Sequence, residues 1–294
     1  MKTRSILVAS LFVTTVFAAE KPAPARLLVS DHSPNRLAIV NTTDGTLEWE
    51  YPCGHPQDVH WLTDGTILAA VGQEAQIIKP DLAAKKGGEI LWRVKPGGEV
   101  PVAQPLPDGG IMVACSPGAK GLILEFDINR KEVKRLEVTT KTTGHNQYRF
   151  CRKTKEGTYL IPSIGDGILY EIDANGKELW KLPLAKVCSA ERLPDGSTLV
   201  VGAGTIRCYD KERKEAWVLT SNEMNLKPGI LAGIHLLPEG GLVIANWGRK
   251  GANPEDASAI AIGLDRRVLW RLNHPFVSSA AHVQVLTETP NKGK

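Results

Sequence analysis

The chain repeats itself, and the repeat limits what it can fold into. One motif recurs: an apolar residue, then Pro, Thr or Lys, an acid, a Gly and an apolar run. It reads LTDGTILAA (62–70), LPDGGIMVA (106–114), TKEGTYLIP (154–162), LPDGSTLVV (193–201) and LPEGGLVIA (237–245). The turn glycines 65, 109, 157, 196 and 240 are separated by 44, 48, 39 and 44 residues. An acid followed by Gly between alternating apolar runs is a hairpin signal. A second motif, a polar turn leading into Trp, follows about 25 residues later. Its copies are TDGTLEW (43–49), GGEILW (87–92), ANGKELW (174–180), KERKEAW (211–217) and LDRRVLW (264–270), while the copy at 129–135 ends in Arg135. Between the two motifs lie further strand-like runs, such as LILEFD (122–127) and ILYEID (168–173).

Each repeat therefore reads as four short antiparallel strands, with almost no helical period anywhere. A four-stranded repeat of this length is a propeller blade. The expected fold is all-β: a six-bladed β-propeller of four-stranded antiparallel blades. The ends fit a closed ring. RLLVSD (26–31), RLAIVN (36–41) and LEWEYP (47–52) supply three strands without an innermost one, and AAHVQVL (280–286) reads as that missing strand. The C-terminal strand would join the N-terminal blade and remove a free sheet edge.

Residues 1–18 read as an export signal. Lys2 and Arg4 precede an apolar stretch from Ser5 to Phe17, with cleavage expected after Ala18. The other reading is an uncleaved anchor. Residues 19–294 then form a single propeller domain, secreted or periplasmic, and no other segment approaches the length of a spanning helix. The formal charge of +4 falls to +2 without Lys2 and Arg4. So mild a balance, with no basic cluster, argues against nucleic acid as a partner. Cys53, Cys115, Cys151, Cys188 and Cys208 are an odd set with no adjacent or CxxC pair, and they read as buried small hydrophobes. The spacing leaves a Cys151–Cys188 bridge between neighbouring repeats open.

The turn-plus-Trp copies, especially YEIDANGKELW (170–180), resemble the quinoprotein-type (PQQ-like) propeller repeat. The hairpin copies also resemble secreted six-bladed propellers related to arylsulfotransferases. Quinoprotein dehydrogenases are larger and carry a vicinal Cys pair, a stacking Trp and a calcium site. This chain has no adjacent Cys pair, so the resemblance carries to the repeat and not to quinone binding, and no cofactor is assigned. Arylsulfotransferase-like propellers use a His and arginines near the axis. His145 and Arg149 form a His–Arg pair entering the third blade, but no family motif maps onto them residue by residue.

Aligning the innermost strands on the turn glycine exposes a channel ring. Five residues before each glycine stand His60, Gln104, Arg152, Glu191 and His235, with Gln284 equivalent in the last strand. All six are polar, and the residues just before them are apolar or Cys. This is period-two patterning with one wet side. Asp58 and His282 alternate onto the same side. Such a ring could hold a polar ligand, or a zinc, manganese or iron ion through His60, His235, Glu191 and His282. It could supply acid–base chemistry through a shifted Glu191 beside Arg152. It could equally be hydrated and bonded only to itself.

The acid–Gly and Gly–Lys turns share one face. The opposite face carries the longer, irregular connections, such as 51–57, 138–147, 219–231 and 246–258. Function tends to reside on variable loops held by a rigid scaffold, so the functional face is expected there. Asn246, Trp247 and Arg249 open the longest loop inside a repeat, and an exposed Trp beside a cation suits a sugar, aromatic or peptide ligand. No GxSxG, GxxxxGK[ST] or helix-opening GxGxxG occurs. The reading that results is a binding protein, using this face and the polar channel to hold a small polar molecule, a glycan or a protein. The alternative is a channel-mouth enzyme: a lyase, a lactonase-like hydrolase or a sulfotransferase, with or without a metal. A redox protein and an assembly scaffold stand behind these two.

Overall fold

The computed structural model describes residues 20–263 and 265–286; the leader assigned to residues 1–18 lies outside them. The architecture is six four-stranded antiparallel sheets in a ring. Blade one comprises β4 (Pro56–Trp61), β5 (Ile67–Val71), β6 (Glu74–Pro80) and β7 (Gly88–Val94). Blade two has β8 (Glu99–Pro105), β9 (Ile111–Ser116), β10 (Gly121–Phe126) and β11 (Glu132–Val138). Blade three has β12 (Arg152–Lys153), β13 (Tyr159–Ser163), β14 (Ile168–Ile172) and β15 (Glu178–Pro183). Blade four has β16 (Ser189–Arg192), β17 (Thr198–Gly202), β18 (Thr205–Tyr209) and β19 (Glu215–Thr220). Blade five has β20 (Ile230–Leu236), β21 (Leu242–Trp247), β22 (Ala259–Ile262) and β23 (Val268–Leu272). Blade six is composite: β1 (Arg26–Asp31), β2 (Arg36–Asn41) and β3 (Thr46–Pro52) are completed on the inside by β24 (Ala280–Val285). β24 pairs with β1 from Leu27↔Val285 to Asp31↔Ala280, the closure expected from the two ends of the sequence.

The acid–Gly turns are built alike. In the first, Gly65 N–H donates to Leu62 O at 3.0 Å, and Asp64 Oδ1 accepts from Thr66 N–H at 2.9 Å. Gly65 has φ +81°, where a Cβ would be strained, so Gly is required. The same backbone bond closes the turn at Gly109, Gly157, Gly196 and Gly240.

The core lies between blades. Leu68, Ala70 and Ile77 of blade one pack with Val113, Leu124 and Phe126 of blade two. Trp92 meets Phe126 edge-on at 5.2 Å, and Trp180 meets Tyr209 at 5.6 Å, each across a blade boundary. Trp49 is fully buried and donates its indole N–H to Gly87 O at 2.8 Å. These three tryptophans are interblade packing, which is why Trp recurs at this phase of the repeat. Arg135, which breaks the series, pairs with Glu132 on the exposed outer edge. All five cysteines are free thiols, so Cys151 and Cys188 are not bridged. Burial pushes Cys53, Cys115 and Cys188 up to about 12, which keeps them protonated and inert. No helix among the described residues is long and apolar enough to cross a membrane.

Candidate functional site

The axis of the propeller carries three tiers. The middle tier is the ring read from the sequence, and it pairs off internally. Arg152 grips the fully buried Asp58 with two bonds, Nη1 to Oδ2 at 2.8 Å and Nη2 to Oδ1 at 3.1 Å. Its Nε donates to Glu191 Oε1 at 2.6 Å, and Nη1 also donates to Cys151 O at 3.0 Å. Gln104 bonds across to the Lys153 backbone, and Gln284 accepts from Trp61 N–H at 2.6 Å. His282 is fully buried; its Nε2 lies 3.1 Å from Ile234 O, while Val59 N–H donates to Nδ1 at 3.4 Å. His60 and His235 face His282 at ring separations of 5.2 and 6.5 Å. His60 Nε2 sits 3.1 Å from Asp58 Oδ1 but out of line for a hydrogen bond.

The electrostatics follow from the pairing. Burial alone would raise the Asp58 carboxyl, but Arg152 and the neighbouring imidazoles outweigh it and hold it well below the usual carboxylate range. Glu191 goes the other way: burial raises it, and the Arg152 contact only partly offsets this. Burial, reinforced by His282, His60 and Arg152, lowers His235 to about 3. Burial lowers His282 to about 4 despite the nearby Asp58. Both imidazoles are thus neutral in the fold but take up protons near 6.5 when unfolded. The unfolded chain binds more protons below that point, so stability should fall as pH drops from about 6.5 towards 4. Urea midpoints measured across that window should decline, and His235→Gln should flatten the decline. An unchanged pH profile in that variant would remove His235 from the account.

One ligand atom from each of Asp58, His60 and His282 lies within 4.8 Å of the others, the spacing of a metal triad. The surroundings do not fit a cation. Both Asp58 oxygens are held by Arg152, a permanent positive charge within 3.1 Å, and His282 Nδ1 also lies 2.9 Å from Val59 O. Asp58, Arg152 and Glu191 thus satisfy one another, while His60 Nε2 is left without a hydrogen bond.

The lower tier is a cavity of about 710 Å³ opening between the acid–Gly turns, on the face opposite the variable loops. Arg152 and Glu191 contribute to its wall beside Pro105, Leu106, Pro107 and Leu236. The sequence placed no cavity on this face, because function was expected on the variable loops opposite.

The upper tier is the channel mouth on the variable face. His145 and Arg149 meet there, but around a residue the sequence reading missed. Glu99, at the start of β8, takes His145 Nδ1 at 2.7 Å and Gln57 Nε2 at 2.5 Å, with Arg149 Nη1 at 3.9 Å. His32, after β1, lies between Trp247 at 4.7 Å and His55 at 5.4 Å. Burial lowers His32 and His55 adds to it; Glu99, His145 and Arg149 are close enough to act on it too. The other two residues expected of this loop turn inward. Asn246 is fully buried and bonds Gly229 N–H, Lys227 O and Ala257 O, bracing the loop base. Arg249 donates back to Pro228 O at 3.0 Å. Of the trio only Trp247 reaches the mouth. His32 and His55 lie in single connections, and Gln57 and Glu99 stand at the variable-face starts of β4 and β8, so the repeat carried no signal for them.

No protein-family profile and no curated protein sequence matches the chain. Among solved structures, it is similar to a protein of unknown function from Bacteroides caccae, at 26% identity and a TM-score of 0.77, over 89% of this chain and 98% of that one. It is also similar to a functionally unknown protein from Desulfotomaculum acetoxidans, at 9% identity and a TM-score of 0.57, over 88% and 98% of the two chains. A third similarity is to the WD40 β-propeller domain of Doa1, at 16% identity and a TM-score of 0.52, over 75% and 86%. These likenesses support the six-bladed propeller, and what the axis binds must be argued from its own side chains.

Proposed function

We propose that the chain is an exported binding protein that holds a small polar ligand at the variable-face mouth of its channel, without turning it over. The observation that carries this is the convergence of His32, His55, Glu99, His145, Arg149 and Trp247 from five separate stretches of chain over a ring whose Asp58, Arg152 and Glu191 are bonded to one another. Convergent polar and aromatic groups on a rigid scaffold are how ligand sites are built. A ring whose carboxylate and guanidinium are bonded to each other has little left for acid–base work. Export rests on the pattern of residues 1–18 alone. Native mass spectrometry of the exported chain, followed by saturation-transfer NMR with a panel of sugars, dipeptides and organic acids, tests the reading. Binders should be lost in Trp247→Ala and His55→Ala. Binders indifferent to both substitutions would overturn it.

An enzyme reading is favoured by one observation: Glu191, with its raised carboxyl, reaches the wall of the lower cavity beside Arg152. Turnover in a lyase and hydrolase screen that Glu191→Gln abolishes would put function on the opposite face.

A further inference from the structure

Arg149 is a cation without an adequate partner. Its side chain is only 3% exposed, yet the guanidinium makes one hydrogen bond, from Nη1 to the carbonyl of the adjoining Tyr148 at 3.0 Å. Glu99 stands 3.9 Å away and is already bonded by Gln57 and His145. No other described residue accepts from Arg149. Buried charges are ordinarily paired and hydrogen-bonded, because leaving water is costly. Arg152, in the ring below, shows what a satisfied guanidinium looks like in this fold: two carboxylates within 3.1 Å.

Other polar side chains at the same end of the strands are under-bonded too. Gln57 Oε1, both amide atoms of Gln147, Ser163 Oγ and Ser189 Oγ are buried and have no partner among the described residues. Gln57 and Ser189 open β4 and β16, Ser163 ends β13, and Gln147 precedes β12, so all four lie at strand ends on the variable side. Buried polar atoms in such a state need water or a ligand.

We propose that the upper mouth binds a carboxylate-bearing small molecule, with the carboxylate on Arg149 and the body beside Trp247, His32 and His55. This deepens the binding reading above and rests on it. A guanidinium presents a planar fork that matches a carboxylate. The charge favours a monoanion: Arg149 is a permanent cation already shared with Glu99, and a dianionic phosphate or sulfate would leave more charge unbalanced. The planar rings of Trp247 and His32, 4.7 Å apart, suit a flat or ring-shaped body.

Sodium benzoate and sodium acetate are the probes, titrated into the full mature chain at pH 7 with sodium chloride holding ionic strength constant. Benzoate should raise the melting temperature and give a calorimetric binding isotherm, acetate should bind more weakly, and phosphate or sulfate should do no more than chloride. Arg149→Met should abolish the benzoate response while melting no lower than wild type in ligand-free buffer, because a buried unpaired charge has been removed. Glu99→Gln, closer to the surface, should tighten benzoate about fivefold by removing a like charge ~4 Å from the bound carboxylate. A benzoate response that survives Arg149→Met, is weakened by Glu99→Gln, or is exceeded by phosphate or sulfate overturns the carboxylate assignment. If benzoate is silent while a neutral sugar binds and is lost in Trp247→Ala, this inference fails and the binding reading stands. If neither binds, both fail.

Discussion

Arg152→Ala should lower the unfolding free energy by about 3–5 kcal/mol, the cost of stranding a buried partner charge. The expectation is large because one side chain serves two carboxylates. Asp58 is fully buried and takes two bonds from the guanidinium, and Glu191 takes a third at 2.6 Å. Without Arg152, Asp58 keeps only His60 at 3.1 Å out of line, His282 Nδ1 at 3.5 Å and the Ala103 N–H at 3.4 Å. Urea denaturation of the single variant and of a triple variant with Asp58→Asn and Glu191→Gln separates charge from packing. The triple variant should recover much of the loss. If Arg152→Ala costs less than about 1 kcal/mol, the ring is a solvated surface pair rather than a buried plug.

The second large effect concerns closure. A chain ending at Ser279 lacks β24 and should fail to fold cooperatively. β24 is the inner strand of blade six; its loss exposes the full edge of β1, from Leu27 to Asp31, and removes His282 and Gln284 from the channel. It also takes Ala280, Ala281 and Val283 out of the interface with blade five. An open edge of that length invites intermolecular pairing. The truncated chain should therefore elute as an aggregate, and adding a peptide of residues 280–286 in trans should restore monomer. A monomeric truncation with the wild-type melting curve would show that the ring does not depend on this strand.

The fold was readable because it repeats. A turn glycine every ~44 residues and a Trp in the same phase are dictated by packing that recurs in every blade, so sequence alone marked both blades and closure. The middle tier was readable for the same reason, since the six innermost strands share one alternation. The upper mouth was not. The ladder shifts register between Pro56 and Val59, between Glu99 and Val102, and between Leu231 and Ile234. At each shift the two-residue alternation breaks, so the facing of Gln57 and Glu99 could not be counted from the turn. His32 and His55 sit on single connections, and His55 adopts φ +47°, a conformation a local pattern does not announce for His. Residue type alone overstated Asn246 and Arg249: both are polar and both lie on a long loop, but each spends its bonds holding that loop in place.

The five thiols carry a consequence for how the chain must mature. Folded, four are buried and Cys53 is half-buried; three are held near 12 by burial, and none is bridged. Unfolded, in the oxidising compartment to which the proposed leader would deliver it, all five would be open to disulfide exchange. Any pair so formed would join strands that the native ring keeps apart as free thiols. Because blade six is not complete until residue 285 has arrived, the interval of exposure lasts for nearly the whole passage of the chain. Under the proposed export, maturation would be a race between ring assembly and oxidation, won when the last strand docks before the first wrong crosslink forms.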